Sequence, residues 1–316
     1  MKRKNSTKAE RRATRQSVGQ LSKRLLAEKT LRLYEASIAR FYEWLKSEEK
    51  IWPEAADELD ELLEEYVEHC WLEGDTRAEI ANLLSALSHP VTGLARVSSH
   101  LRGAWRFYGL WVKLEKREKC LPIRRLTCRA IAGRAIAHEW YDMAFLFLLA
   151  FHCLLRTQEF AEARCADFEW SMCGTKGVLH LASSKSGKRN HVEEQVSVDD
   201  RRLASFGAAL TKMLQPGDRV LRCSVKLLRK RLRIILKELA LQDLYILPYS
   251  FRRGGATVHF REGGNMAATV ARGRWGSSQT ARIYINEALQ DAEELRTSKE
   301  DRRLLKAAAE LEAFFA

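Results

Sequence analysis

Hydrophobic positions recur with a helical period over most of this chain and with a strand period in one stretch only. From Thr30, the residues Leu33, Ile38, Phe41, Tyr42 and Leu45 share one stripe, which predicts a helix over 30–46. Pro53 breaks the pattern. A second, acidic helix is expected over 57–72, with Leu59, Leu62, Leu63, Tyr66 and Val67 turned inward, and a third over 76–87. Pro90 leads into a fourth, over 91–119. Together these predict a four-helix domain spanning 29–119, preceded by a disordered arm, 1–28, and followed by a linker, 120–125, that contains Pro122. The rest, 126–316, is expected to form a second domain. Its centre should be Trp140 to Leu155, apolar almost all round and therefore buried on every side. Between 167 and 198 the period shortens: Phe168 to Trp170, Val178 to Ala182 and Val192 to Val198 are separated by Gly174, Gly177 and Gly187, which predicts a three-stranded antiparallel sheet. Helices resume over 224–239, around 252 and over 286–316. The expected fold is mainly α with a small antiparallel β-sheet.

Charge changes the picture. The 316 residues carry a formal net charge of +13, which points to a polyanionic partner, nucleic acid before a membrane surface. It is unevenly placed: 1–30 holds ten basic residues against Glu10 and Glu28, while 48–79 holds thirteen acids against Lys50 and Arg77. The arm suits phosphate contact or nuclear import, and equally a solubilising tail. In the fourth helix Arg96, Arg102, Arg106 and Lys113 are interleaved with Trp105, Phe107, Tyr108 and Trp111. That composition fits a helix laid along a DNA backbone; the alternative is a bundle helix with a solvated basic side. The helix over 224–239 turns Lys226, Arg229, Lys230, Arg231, Arg233 and Lys237 outward with only Glu238 to balance them, which favours phosphate binding. Seven scattered cysteines without a CxxC pair read as reduced thiols. The most apolar run, 143–155, falls short of the ~20 residues of a membrane span. An intracellular, DNA-associated protein is expected, in the nucleus if the cell has one.

The candidate chemistry lies in two places. One is Arg156 with Glu159, three residues on, where a buried arginine requires a carboxylate and retains donors for an anionic ligand. The other is the stretch Tyr249-Ser-Phe-Arg252-Arg253-Gly-Gly-Ala-Thr257, then Gly273-Arg-Trp275 and Arg282-Ile-Tyr284. An arginine fork holds planar oxyanions bidentately, and a tyrosine hydroxyl can act as a nucleophile. Lys185 and Lys188 fall at the tip of the second hairpin, where a lysine is ordinarily only exposed. Gly254-Gly255 inside a helix costs about 1 kcal/mol per residue, so a close approach to DNA or to another helix, or a kink, is expected there.

In this order, Leu155-Arg-Thr-Gln-Glu159, Lys185 in a hairpin, Arg252, Trp275 and Tyr284 nine residues later resemble the tyrosine recombinase (phage integrase) family over about 140–290. The wording Ser-Phe-Arg-Arg-Gly-Gly-Ala-Thr looks like that of the mobile-element members. The resemblance implies a helical core-binding domain and an α+β catalytic domain that cut and rejoin double-stranded DNA through a 3′-phosphotyrosine on Tyr284, without metal or cofactor. It implies that Arg156 and Arg252 clamp the phosphate, that Lys185 protonates the leaving 5′-oxygen, and that Trp275 donates to the phosphate while Glu159 supports Arg156. A tetramer on DNA, joined through the C-terminal helix, is implied too. Tyr249 departs from the pattern, standing where the family most often has a histidine. A phenol with a pKa near ~10 is a poor general base at neutral pH, so slower chemistry is expected, with Arg253 sharing in phosphate binding. Two alternatives stay open: a DNA-binding protein of this fold with weakened chemistry, and a nicking-closing enzyme like the type IB topoisomerases.

Overall fold

The computed structural model describes residues 7–18, 25–89, 100–115, 119–181 and 194–313. Arg96, Lys185 and Lys188 lie outside them. The chain divides into two compact units, 1–118 and 119–316.

In the first unit, α1 (Lys8–Val18) is a helix where an arm without lasting periodicity is expected. Its start is fixed reciprocally: the Thr7 N–H donates to Glu10 Oε2 at 2.7 Å, and the Glu10 N–H to Thr7 Oγ1 at 3.2 Å. Helices α2 (Glu28–Ser47), α3 (Ala56–Leu72), α4 (Arg77–Leu87) and α5 (Arg102–Leu114) follow. α2 packs on α4 and α3 on α5 around Phe41, Leu45, Leu63, Ile80, Leu84 and Trp111. Asp60 on α3 accepts the Gly103 and Ala104 N–H groups at 2.7 and 2.9 Å, a carboxylate placed at the positive end of α5. The fourth helix, expected from 91, is described from Arg102.

In the second unit, residues 120–124 are no free linker. Leu121 and Ile123 are buried in its core, and the Leu121 N–H donates to Tyr245 O at 2.9 Å. The apolar character of these two residues outweighs Pro122 as a local signal. α6 (Arg125–Ala137) packs on α7 (Tyr141–His152), whose residues Met143 to Leu146 are wholly buried. α7 ends earlier than the apolar run suggests: Leu154 turns with φ 51°, and Arg156 caps the next helix, α8 (Thr157–Glu162), instead of ending α7. The sheet follows in order β1-β2-β3, antiparallel throughout: β1 (Phe168–Trp170), β2 (Gly177–Leu181) and β3 (Glu194–Val198). Leu179 stands opposite Phe168 on one side and Val196 on the other, so alternate residues face the core.

After α9 (Arg201–Lys212) and α10 (Val225–Glu238) comes α11 (Pro248–Gly263), which begins with Pro248 and ends on Gly264 at φ 61°. Its Gly254 and Gly255 have a structural reason. A Cβ on Gly254 would stand 2.1 Å from Ile123 O, and one on Gly255 1.9 Å from Phe151 O. The close approach is to the chain's own backbone. α12 (Met266–Gly273), α13 (Ser278–Arg282), α14 (Glu287–Arg296) and α15 (Lys299–Ala313) complete the unit. α15, expected to dock on a neighbouring protomer, lies along α6 of its own unit with Leu305, Ala308 and Ala309 buried. α14 is pinned from within: Gln290 donates to Ile123 O at 3.0 Å, and Glu293 accepts the Arg124 N–H at 2.9 Å.

Candidate active site

Arg156, Glu159, Tyr249, Arg252, Trp275 and Tyr284 come together where the α7–α8 turn, α11 and the α12–α13 segment meet. Arg252 sits one turn into α11 and is fully buried. Its guanidinium donates to two carbonyls, Leu154 O in the turn and Gly273 O at the end of α12, the latter at 2.6 Å. Its Nε has no hydrogen-bond partner among the described residues. The guanidinium carbon stands 4.8 Å from the centre of the Trp275 ring and 5.3 Å from that of Tyr284, within cation–π range of both. Burial first, then repulsion by Arg156 and Arg274, lowers the Arg252 pKa to about 10, so it remains a cation at neutral pH.

Arg156 is held by Glu159. Its N–H donates to Oε2 at 2.8 Å and its Nη1 to Oε1 at 2.5 Å, as the spacing across one helical turn allows. Glu159 is nearly inaccessible at 4% side-chain exposure, and burial works to raise its pKa. Arg274, then the Arg156 N–H and guanidinium, outweigh that and hold the carboxyl below its ordinary range. Glu159 therefore serves two arginines, since Arg274 Nη2 reaches Oε2 at 2.7 Å. Three guanidinium groups surround this one carboxylate, with Arg252 at 4.0 Å. Glu194, 3.4 Å from Arg274, is the only further acid that the ion pairs bring to these arginines among the described residues. The local balance is cationic and suits an anion with several oxygens.

Trp275 is 7% exposed, and its Nε1–H lacks an acceptor among the described residues. Its ring lies over Gly273, where a Cβ would stand 2.0 Å from the indole. The half-buried Tyr284 ring is 4.8 Å from Trp275 and 5.7 Å from Tyr249, centre to centre. Burial first, then the hydrogen-bonding contact with Tyr284, raises the Tyr249 phenol well above its ordinary pKa. Tyr249 is thus a neutral donor at physiological pH, not a base.

Arg253 does not belong to the site. It is 4% exposed and donates to Cys120 O, because one residue along a helix turns it about 100° away from Arg252. Of the remaining basic candidates, Arg229, Lys230 and Arg233 are exposed on the outer face of α10. Arg102 and Arg106 are exposed on α5, where the packing of α3 brings Glu64 to 3.7 Å from Arg106 and tempers its charge. Among the described residues no cluster of three or more His, Cys, Asp or Glu side chains could hold a metal ion. Sequence reasoning passed over Arg272, Arg274, His152 and Asp199. Only the arginine between Gly273 and Trp275 carried a signal, an odd residue at a helix end that otherwise invites glycine.

No family profile matches the chain, and no curated protein sequence does. Solved structures do. The chain is similar to a Tn1549 transposon integrase in complex with transposon right end DNA, at 12% identity and TM-score 0.58, over 92% of this chain and 95% of that one. It is also similar to a XerA recombinase, at 14% identity and TM-score 0.42 over 88% and 95% of the two chains. A XerH site-specific recombinase bound to palindromic difH substrate matches at 16% identity and TM-score 0.45, over 74% and 76%. The chain shares the fold of that transposon integrase, mainly α with a three-stranded antiparallel sheet. No helix among the described residues is long and apolar enough to cross a membrane.

Proposed function

We propose that the protein is a site-specific DNA recombinase or integrase that cuts and rejoins DNA through a 3′-phosphotyrosine on Tyr284. The observation that carries this is the pair of buried N–H groups, Arg252 Nε and Trp275 Nε1, that have no acceptor among the described residues and lie beside the Tyr284 ring. A buried unpaired donor costs about 1–3 kcal/mol, a cost that is relieved when an anionic oxygen enters. In this scheme a DNA phosphate lies between Arg156 and Arg252, and its charge is stabilised as the pentavalent transition state forms. Tyr284 Oη attacks phosphorus as its phenolic proton passes to solvent, the bond to the 5′-oxygen breaks, and Lys185 protonates that oxygen as it leaves, giving a free 5′-hydroxyl. Covalent capture retains the phosphodiester energy, and reversal by another 5′-hydroxyl rejoins the strand. Trp275 donates to the phosphate, and Tyr249 donates to the phosphate or to Tyr284.

The first unit is the proposed core-binding domain, with Arg102 and Arg106 on phosphates. In the second, Arg229, Lys230 and Arg233 on α10 add non-specific phosphate contacts. The active assembly is proposed to be a tetramer on DNA. The test is incubation with nicked suicide duplexes. The wild type gives a denaturation-resistant DNA adduct and Tyr284→Phe none; no wild-type adduct on any DNA, including the flanking sequence of its own gene, refutes the chemistry.

One observation favours a second reading, a DNA-binding protein with lost chemistry: the residue whose ring stands 5.7 Å from Tyr284 is a tyrosine, Tyr249, and burial raises its phenol, which leaves no base there. On that reading, DNA affinity depends on salt and is unchanged by Arg156→Ala with Tyr284→Phe. Relaxation of supercoiled plasmid without recombinant products would point instead to a nicking-closing enzyme.

A further inference from the structure

Arg274 is a side chain in an unusual place. It ends α12 with φ 55° and ψ 44°, the left-handed conformation that costs a non-glycine residue roughly 1–2 kcal/mol. Its side chain is only 8% exposed, so the strain buys no freedom in solvent. Instead the guanidinium reaches Glu159 Oε2 at 2.7 Å, Cys153 O at 3.3 Å and Leu154 O at 3.5 Å, with Glu194 Oε2 3.4 Å from its Nε. Two residues earlier, Arg272 makes a parallel set. Its Nε donates to His152 O at 3.0 Å, and its Nη2 stands 3.0 Å from Asp199 Oδ1, which also contacts His152 Nε2 at 2.6 Å.

The two sets share a design. Glu194 opens β3, and Asp199 directly follows its last residue, Val198. Arg274 takes the first and Arg272 the second, so both ends of β3 are tied to one three-residue segment around Gly273. Both arginines also hold successive carbonyls, 152 to 154, of the turn that leads to Arg156. The backbone so fixed presents Leu154 O and Gly273 O, the two acceptors that orient Arg252, and Gly273 supports the Trp275 ring.

We infer that Arg272 and Arg274 are positioning residues that join β3, the Arg156 turn and the Trp275 segment into one rigid frame for the phosphate-facing arginines. This rests on the phosphotyrosine reading for its effect on chemistry, while the frame itself stands independently. Arg274→Gly is the informative variant, because glycine relieves the left-handed strain and a backbone role alone would leave the protein as stable or more so. Arg272→Asp combined with Asp199→Arg restores one tie with its charges exchanged.

Two measurements on the full chain decide it. In hydrogen exchange, Arg274→Gly and Arg272→Asp speed exchange in 194–198 and 152–156 at least about tenfold, while 143–149 in α7 is unchanged, as local opening requires. The exchanged pair, Arg272→Asp with Asp199→Arg, brings 194–198 back toward the wild type. Unchanged exchange in both segments overturns the frame, whether or not the protein cuts DNA. In the adduct assay, Arg274→Gly slows adduct formation roughly 100-fold, the scale of an ångström of misplacement, with DNA affinity within about twofold of the wild type. Opened segments with an undiminished adduct rate overturn the positioning role. If the wild type forms no adduct, the phosphotyrosine reading fails, and exchange still passes judgement on the frame.

Discussion

Tyr249 is the residue on which the proposed chemistry turns. Its ring stands 5.7 Å from Tyr284, and burial raises its phenol, so it offers no base to the proposed nucleophile. Tyr249→His supplies an imidazole with a pKa near ~6.5 and is expected to raise the rate of adduct formation by roughly tenfold or more in single-turnover assays. A lower rate would mean that the phenol itself positions Tyr284. Gly255 is a second case that a single residue decides. Ala at this position gains about 1 kcal/mol of helix propensity. Its Cβ, however, would stand 1.9 Å from Phe151 O, and forcing that overlap costs about 1–3 kcal/mol or more. Gly255→Ala should therefore lower the urea midpoint, the opposite of the usual effect of Gly to Ala in a helix. At this scale the sequence carried Arg156, Glu159, Arg252, Trp275 and Tyr284 because their spacing follows a known pattern. It misassigned Arg253, since two adjacent arginines look alike in a string and only the helical turn sends one into the cluster around Glu159 and the other to Cys120.

At the scale of elements, the periodic signals were legible and the ends were not. The stripe of α2, the all-round apolarity of α7 and the short period of β1 to β3 are local properties of the chain. Where α7 stops is not: the run stays apolar to Leu155, and the positive φ of Leu154 breaks the helix inside it. The packing of α15 on α6 was equally hidden, since its small residues Ala308 and Ala309 gain meaning only against that partner. The ties at the end of β3 imply a pH dependence. Burial first, then Arg272, lowers the His152 pKa, so the folded state resists protonation. Its contribution is whole above the unfolded value of ~6.5 and is lost as pH falls below it. The wild type should therefore lose stability relative to His152→Gln between about pH 7.5 and 5.5, read from urea midpoints. Asp199 lies at about 2: burial opposes ionisation, but Arg272 and His152 prevail. It adds a later loss as pH falls below ~4, its ordinary range.

Across the whole molecule, a net charge of +13 is divided between acidic α3 and basic faces on α5 and α10, a pattern already plain in the sequence. Replacing Arg229, Lys230 and Arg233 together by Ala should weaken binding to all duplexes alike and flatten the slope of log affinity against log salt by about 2–3. An unchanged slope would take α10 off the DNA. The two units, 1–118 and 119–316, each carry a core of their own. The central claim is chemical and local, and identifying the covalently linked residue tests it most directly. DNA trapped on the wild type, followed by trypsin and mass spectrometry, should place a 3′-phosphonucleotide on the peptide 283–296, which contains Tyr284, with a free 5′-hydroxyl on the departing strand. Linkage on the Tyr249 peptide, a 5′-phosphate linkage, or no linked peptide would contradict it.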